Sequence, residues 1–489
     1  MKKETSMKIN YFYNTLYQVI TLIVPLITTP YLSKVLGAKG IGLYSYSYSI
    51  AYYFVLFAML GLGNYGRREI AFARRDREYL SKVFWSIYFL QVFTSLIAII
   101  AYIIYLIALD DNYMMNLMII YVVSAVFDIS WLFLGLELFR YTVFINSIVK
   151  ILATLCIFVF VHNASDVYIY GLIMALHFLV SSIAMWKQLR NEVDFYLPSF
   201  SEIIAHLKPN IILFIPVIAV SLYKTMDKIM LGAISGTIEV GYYENAERII
   251  RVPVALISSL GTVMMPKISV LLSQGKKEES NSYIGKSLYF SMFISTSTCF
   301  GIMGISKEFV PLFYGNHFLV CIKLFLVLLP SCIFVAFSQV LLTQILLPQN
   351  HNKSYAIIVS LGAAVNMVVN LILIPKYKSV GAAIGTLAAE MIVCIANMVI
   401  NCKRFNSYKF FLKGIPFINA GFLMFLFLFL VEFTIENPII ILVIKILLGI
   451  LMYIIFLVVT IFLEHKMGID DLMVMLKQII QSMLKSRKR

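Results

Sequence analysis

The sequence has little charge, and acidic residues are the scarcer kind. Of its 489 residues only 13% are charged, with 25 Asp and Glu against 40 Lys and Arg, while 61% are hydrophobic. Soluble domains carry about 25% charged residues to cover their surface. A water-soluble globular protein is therefore excluded, and the composition indicates an integral membrane protein.

The chain also lacks the residue patterns of metal and disulfide sites. Its six cysteines lie in or at the ends of apolar runs without a C-x-x-C pair, and its histidines show no H-E-x-x-H spacing. Neither a metal nor a disulfide framework is expected. The net charge of +15 does not predict a nucleic-acid partner, because the basic residues punctuate apolar segments.

No segment between apolar runs is long enough to fold a soluble catalytic domain. The stretch IGKS at 284–287 matches the end of the phosphate-loop motif G-x-x-x-x-G-K-[ST]. Ser280 occupies the position where that motif requires its first glycine, so no phosphate loop is predicted. We expect no catalytic residues and no enzyme activity.

Apolar runs of the length that crosses a bilayer predict an all-α membrane protein with about fourteen transmembrane helices. Lys and Arg concentrate on alternate loops, as in NYGRREIAFARRDREYLSK and the tail KSRKR, while ALDDN and TIENP have none. Because cytoplasmic loops are rich in Lys and Arg, both termini are predicted to be cytoplasmic.

A weak internal repeat divides the chain. IGLYSYSYSI at 41–50 aligns with VGYYENAERI at 240–249 at a shift of 199, and YTVFINSIVK at 141 aligns with YAIIVSLGAA at 355 at a shift of 214. Duplicated halves are typical of transporters. The predicted parts are a six-helix lobe at 1–187, a cytoplasmic linker at 188–209, a second six-helix lobe at 210–403, two further helices at 404–465 and a basic amphipathic tail at 466–489.

Two neighbouring helices carry charges inside apolar runs. These are Lys224, Asp227 and Lys228 in YKTMDKIML, and Glu244, Glu247, Arg248 and Arg251 in YYENAERIIRV. The spacing places each set on one helix face, so the two faces are predicted to meet and pair. A charge facing lipid costs about 2.5–3.5 kcal/mol. Extension of Lys228 and Glu244 to the outer headgroups is the alternative.

Single charges also interrupt other helices. Asp128 in FDISWLF, Lys150 in SIVKILA and Glu390 in TLAAEMI fall near the middles of predicted spans, which favours positions that line a cavity. Lys323 and Lys445 lie nearer the outer ends and are predicted to reach the headgroups.

Three segments, GAKGIGLYSYSYSIAYYF, DKIMLGAISGTIEVGYYENAERI and NLILIPKYKSVGAAIGTLAAE, resemble the oligosaccharide and polysaccharide flippases of the multidrug/oligosaccharidyl-lipid/polysaccharide exporter superfamily. The resemblance implies two six-helix lobes around a central cavity plus two C-terminal helices. It also implies transport of undecaprenyl-pyrophosphate-linked oligosaccharide units across the bacterial cytoplasmic membrane, from the inner to the outer leaflet, by alternating access. Lys378 departs from the family pattern, in which glycine is common there.

A pyrophosphate-linked substrate requires cations in its binding cavity. The predicted substrate contacts are Arg248, Arg251, Lys224 and Lys150, and the predicted charge partners or couplers are Asp227, Asp128, Glu390 and Glu247. The tyrosines of YSYSYSIAYYF either stack on sugars or serve in packing and an interfacial aromatic belt.

Two other functions within the superfamily stay open. One is a flippase for the peptidoglycan lipid precursor, and the other is a multidrug/cation antiporter, although residues 11–33 lack the acidic residue expected for it. The expected partners are the lipid-linked oligosaccharide, the bilayer, and polymerase and chain-length proteins of the same pathway. No cofactor is expected, and coupling to protons, cations or the membrane potential is left open.

Overall fold

The computed structural model describes residues 2–108, 112–349, 351–402 and 405–466. Within these ranges the regular structure is helical and contains no strand. The prediction of an all-α fold is thereby confirmed. The predicted basic tail, apart from Lys466, lies outside the described residues.

The chain forms two compact units, Met1–Glu244 and Asn245–Arg489. The division falls within one long helix, after Glu244. The lobe boundary at 188–209 stays a prediction, since this division follows packing rather than the sequence repeat.

The described residues of the first unit form ten complete α-helices and the beginning of an eleventh. They are α1 (Lys2–Met59), α2 (Leu62–Ala73), α3 (Arg77–Ala108), α4 (Tyr113–Leu117), α5 (Ile119–Phe127), α6 (Ser130–Gly135), α7 (Phe139–Phe160), α8 (Val167–Glu192), α9 (Phe200–Ala205), α10 (Leu207–Ser235) and the start of α11 (Thr237–Ser273).

In the second unit the part of the chain that the structure describes forms the rest of α11 and eight further α-helices. They are α12 (Lys277–Gly304), α13 (Ser306–Tyr314), α14 (Val320–Leu328), α15 (Ser331–Leu341), α16 (Asn352–Asn401), α17 (Ser407–Leu412), α18 (Ile415–Leu430) and α19 (Pro438–Lys466). A π-helical turn, Leu342–Leu346, follows α15.

Ten helices among the described residues are long and apolar enough to cross a membrane, or eleven if the bent pair α12 and α13 is one span. The chain is thus a multi-pass membrane protein. The two longest helices are each interrupted by a residue with non-helical backbone angles, Gly37 in α1 and Lys378 in α16. The number fourteen stays a prediction.

The backbone repeats the shift of 199 found in the sequence. Gly37 has φ 65° and ψ −177°, and Gly236 has φ 88° and ψ 169°. This region of backbone space is accessible essentially to glycine alone. Each glycine therefore makes the sharp turn into the helix that carries one copy of the aligned motif.

A break separates α5 from α6 at Asp128 and Ile129. The buried side chain of Gln91 in α3 donates through Nε2 to Ala125 O at 2.7 Å and Asp128 O at 2.9 Å, and its Oε1 accepts from Trp131 Nε1 at 2.9 Å. Gln91 thus satisfies the carbonyls that the interruption releases, as an apolar environment requires.

In the second unit, α18 and α19 pack on α12 and α13. Lys445 in α19 is 1% exposed, and its Nζ lies 2.6 Å from Glu308 Oε1 and 2.9 Å from Leu428 O. The prediction that Lys445 reaches the headgroups is therefore wrong. Glu308 in α13 compensates the charge of this buried ammonium. Lys323 is exposed, and its extension to the headgroups stays a prediction.

Candidate functional site

The charged faces of α10 and α11 meet inside the first unit. Lys228 Nζ lies 2.5 Å from Glu244 Oε2, and the two residues are only 7% and 6% exposed. Ser45 Oγ in α1 donates to the same carboxylate oxygen at 3.0 Å. The predicted pairing is confirmed, and the alternative that Lys228 and Glu244 extend to the headgroups is wrong.

Asp227 belongs to the same buried cluster. Its Oδ2 accepts a hydrogen bond from Tyr243 OH in α11 at 2.7 Å, and the carboxylate is buried. Successive residues of α10, Asp227 and Lys228, are therefore both held by α11, through Tyr243 and Glu244. Whether Asp227 also couples transport stays a prediction.

Glycines let α1 and α11 approach closely beside this cluster. A Cβ added to Gly42 would overlap Thr237 O, and one added to Gly241 would overlap Ala38 O. Backbone therefore packs directly on backbone, as small residues permit between membrane helices.

The other predicted cations of these helices occupy different environments. Lys224, one turn before Lys228, is exposed. In the second unit, Arg251 Nη2 donates to Glu247 Oε2 at 2.9 Å, and the Arg251 side chain is about half exposed. Arg248 is partly buried on the same helix. Their roles as substrate contacts stay predictions.

The three isolated charges lie on three separate helices or breaks. Asp128 stands at the break between α5 and α6, where its Oδ1 accepts from Ser130 N at 2.9 Å. Lys150 lies near the midpoint of α7, and Glu390 lies in the second half of α16; both are partly buried. Asp128 thus satisfies the backbone N–H of the first residue of α6. The sequence did not predict this contact, because the apolar run around Asp128 is typical of one continuous helix.

An aromatic cluster lines α1, α5 and α8 in the first unit. The ring of Tyr48 stacks on Tyr121 at 5.2 Å and on Phe178 at 5.9 Å, and Tyr44 meets Tyr170 edge-on at 4.7 Å. Tyr48 is partly exposed while Tyr121 is buried. Tyr44 and Tyr48 of YSYSYSIAYYF therefore pack against aromatic rings of α5 and α8 within the first unit.

Sequence reasoning missed three polar features inside spans: the contact of Gln91 with Trp131, the contact of Lys445 with Glu308, and the position of His177 within electrostatic range of Lys150. A glutamine or histidine in the middle of an apolar run is the signal that could have directed attention to the first and third. The pairing of Lys445 has no local signature, because its partner lies 137 residues away.

Comparisons with known proteins agree with this architecture. Residues 8–272 match the family described as "Polysaccharide biosynthesis protein". The chain is 26% identical over 400 residues to the "Putative O-antigen transporter" of Escherichia coli, covering 79% of this chain and 95% of that protein. It is 25% identical over 164 residues, 34% of each chain, to the "Probable low-salt glycan biosynthesis flippase Agl15" of Haloferax volcanii.

A solved structure extends the likeness at the level of fold. The "Lipid II flippase MurJ, inward closed conformation" superimposes with a TM-score of 0.73 over 92% of this chain and 97% of that one, at 16% identity. At this identity the likeness shows the fold alone, while the family match and the sequence relatives confirm the resemblance to polysaccharide flippases.

Proposed function

We propose, from the premise that the chain belongs to the polysaccharide biosynthesis protein family, that it is a flippase for lipid-linked oligosaccharides. In this proposal the substrate is an undecaprenyl-pyrophosphate-linked repeat unit destined for a surface polysaccharide such as capsule, O-antigen or exopolysaccharide. The chain moves it from the cytoplasmic to the outer leaflet of the bacterial cytoplasmic membrane. Both termini are cytoplasmic.

The family match over residues 8–272 carries this proposal. The names of the O-antigen transporter and the glycan flippase place those two proteins in glycan transport. The side chains of this chain suit the same task, because cations inside apolar helices can meet phosphate oxygens by charge-assisted hydrogen bonds. We assign that role to Arg248, Arg251, Lys224 and Lys150.

In the proposed mechanism the chain acts as a carrier and makes or breaks no covalent bond. The sequence repeat supports alternating access, in which two similar halves rock around a substrate site. Glu247, which already pairs with Arg251, and the acidic residues Asp227, Asp128 and Glu390 are proposed as charge partners or couplers.

Export by defined variants tests this proposal. A bacterium lacking its own repeat-unit flippase is given the wild-type chain or the double variant R248A/R251A, and surface polysaccharide is measured together with the amount of protein in the membrane. We expect the double variant to abolish surface delivery at normal protein levels. K323M, which changes an exposed lysine in α14, is the matched control. Undiminished export by R248A/R251A would contradict the assignment of these arginines.

Transport of the peptidoglycan precursor is the second candidate, favoured by the fold likeness to the lipid II flippase. One complementation experiment distinguishes the two functions. A chain that restores growth after depletion of the host's lipid II flippase transports the peptidoglycan precursor, whereas one that restores only surface polysaccharide supports our proposal.

A further inference from the structure

Lys150 lies near the midpoint of α7, a helix apolar enough to span the membrane. It is partly buried, and no carboxylate among the described residues forms an ion pair with it. An ammonium group in the middle of a membrane-spanning helix is costly unless it faces water or an anion. Lys150 therefore suits a water-filled cavity or a negatively charged ligand, since the described residues give it no acidic partner.

The neighbouring helix α8 places a histidine close to this lysine. Tyr141 OH near the start of α7 donates to Ala184 O in α8 at 3.1 Å, which shows that these two antiparallel helices are neighbours here. Because α7 and α8 pack together, the residues two turns after Tyr141 lie in the region of those two turns before Ala184. His177 falls in this stretch and lies within electrostatic range of Lys150.

Further polar atoms accompany this pair. Ser147 and Ser181 are only 8% and 7% exposed, and neither hydroxyl has a hydrogen-bond partner among the described residues. Nδ1 of His177 is likewise buried and unpartnered in the described part of the chain. Because buried polar atoms are nearly always satisfied, these unpartnered groups point to a ligand that supplies several hydrogen-bonding oxygens.

The aromatic cluster of Tyr48, Tyr121 and Phe178 lies next to His177 in α8. The ring of His177 meets Phe178 edge-on at 5.1 Å, and Phe178 contacts Tyr121 at 4.4 Å and Tyr48 at 5.9 Å. Tyr48 and Tyr52 are partly exposed. Aromatic rings with hydroxyl groups present both an apolar face and a polar tip, which suits the face and hydroxyls of a sugar ring.

We propose that Lys150 and His177, with the hydroxyls of Ser147 and Ser181, bind the pyrophosphate of the lipid-linked glycan, and that Tyr48 contacts its first sugar. The site lies entirely within the first unit. It rests on the proposed function, which it deepens by naming the phosphate contacts. A lysine ammonium and an imidazole N–H both donate to phosphate oxygens, and serine hydroxyls add neutral donors.

Binding of geranylgeranyl pyrophosphate, a short lipid pyrophosphate, tests the site directly. Full-length protein is purified in nanodiscs of phosphatidylethanolamine and phosphatidylglycerol, and the dissociation constant is measured for wild type, K150M, K150R, H177Q and the control K323M. Loss of a charge-assisted contact should weaken binding about 10-fold or more in K150M. We expect a smaller loss in H177Q, near-normal binding in K150R, and no change in K323M.

Inorganic pyrophosphate, added as a competitor, shows whether the phosphate or the lipid is recognised. It should displace the lipid from wild type and have little effect on the residual binding of K150M. Comparison of K150M with K150R also separates charge from folding, because both alter the same position.

Two results would overturn the site. One is wild-type affinity in both K150M and H177Q, and the other is lipid binding to wild type that inorganic pyrophosphate does not displace. Either result is compatible with the proposed function if R248A/R251A still abolishes export. Failure of wild type to bind any lipid pyrophosphate, together with failure to restore polysaccharide export, would reject the proposed function itself.

Discussion

Ser45 donates a hydrogen bond to Glu244 across 3.0 Å, and the two residues are 199 positions apart in the chain. This is the shift that aligns the two copies of the sequence repeat, so equivalent positions of the copies touch each other. Lys228 pairs with the same carboxylate oxygen at 2.5 Å. The cluster thus contains a contact between equivalent positions of the two copies, Ser45 and Glu244, and one buried cation from α10, Lys228.

Removal of the cation should destabilise this cluster. In K228M the Glu244 carboxylate keeps its hydrogen bond from Ser45 but loses its paired ammonium, and breaking a buried pair in this way costs about 3–5 kcal/mol. The double variant K228M/E244Q removes both charges and should be less damaging. Thermal unfolding of the purified proteins measures the difference. K224M, at an exposed position one turn earlier in the same helix, is the control. A K228M protein as stable as wild type would show that the pair adds little.

The glycine contact beside the cluster makes a second prediction. G42A and G241A each place a methyl group against a backbone carbonyl, of Thr237 and Ala38 respectively. Backbone cannot yield as a flexible side chain can, so overpacking should cost about 1–3 kcal/mol and lower the thermal midpoint. G63A is the matched control, because a Cβ at Gly63 meets nothing within 4 Å. Equal midpoints for all three variants would contradict the close approach.

The spacing of charges predicted part of this site well and part of it poorly. Lys228 and Glu244 lie on helices joined by a short turn, so periodicity alone could bring their faces together. Asp128 lies in an apolar run that is typical of one continuous helix. The helix is nevertheless interrupted there, and Gln91 from α3 satisfies the carbonyls that the break releases. Such long-range compensation leaves no periodic signal near the break.

The burial of Lys445 likewise could not be predicted from the sequence. Its position near a helix end favoured extension to the headgroups, since long side chains often reach them. The structure buries it against Glu308, which belongs to α13. Hydropathy identifies the spans, but which side chains pair across them depends on helix packing that a single sequence does not specify.

The role of Gln91 yields a third prediction. Q91L would remove two donations, to Ala125 O and Asp128 O, and the acceptor of Trp131 Nε1. Each buried group left unsatisfied costs about 1–3 kcal/mol, so the thermal midpoint should fall markedly. The control Q188L changes a partly buried glutamine whose side-chain hydrogen bonds are to Glu192 and Asn191 in the same helix, and it should stay close to wild type. Equal loss in both variants would argue against a specific role for Gln91.

The interruption of α16 at Lys378 provides the last prediction. Its φ of 53° and ψ of −128° are unfavourable for any residue with a Cβ, and such strain costs about 1–3 kcal/mol. K378G should relieve that strain, partly offset by the greater freedom of glycine in the unfolded chain, and so raise the thermal midpoint. K376G, in the helical segment just before the break, lacks this benefit and should lose about 1 kcal/mol. Thermal unfolding of both variants in the same detergent measures the contrast. A lower midpoint for K378G than for wild type would mean that the contacts of the lysine side chain outweigh the backbone strain.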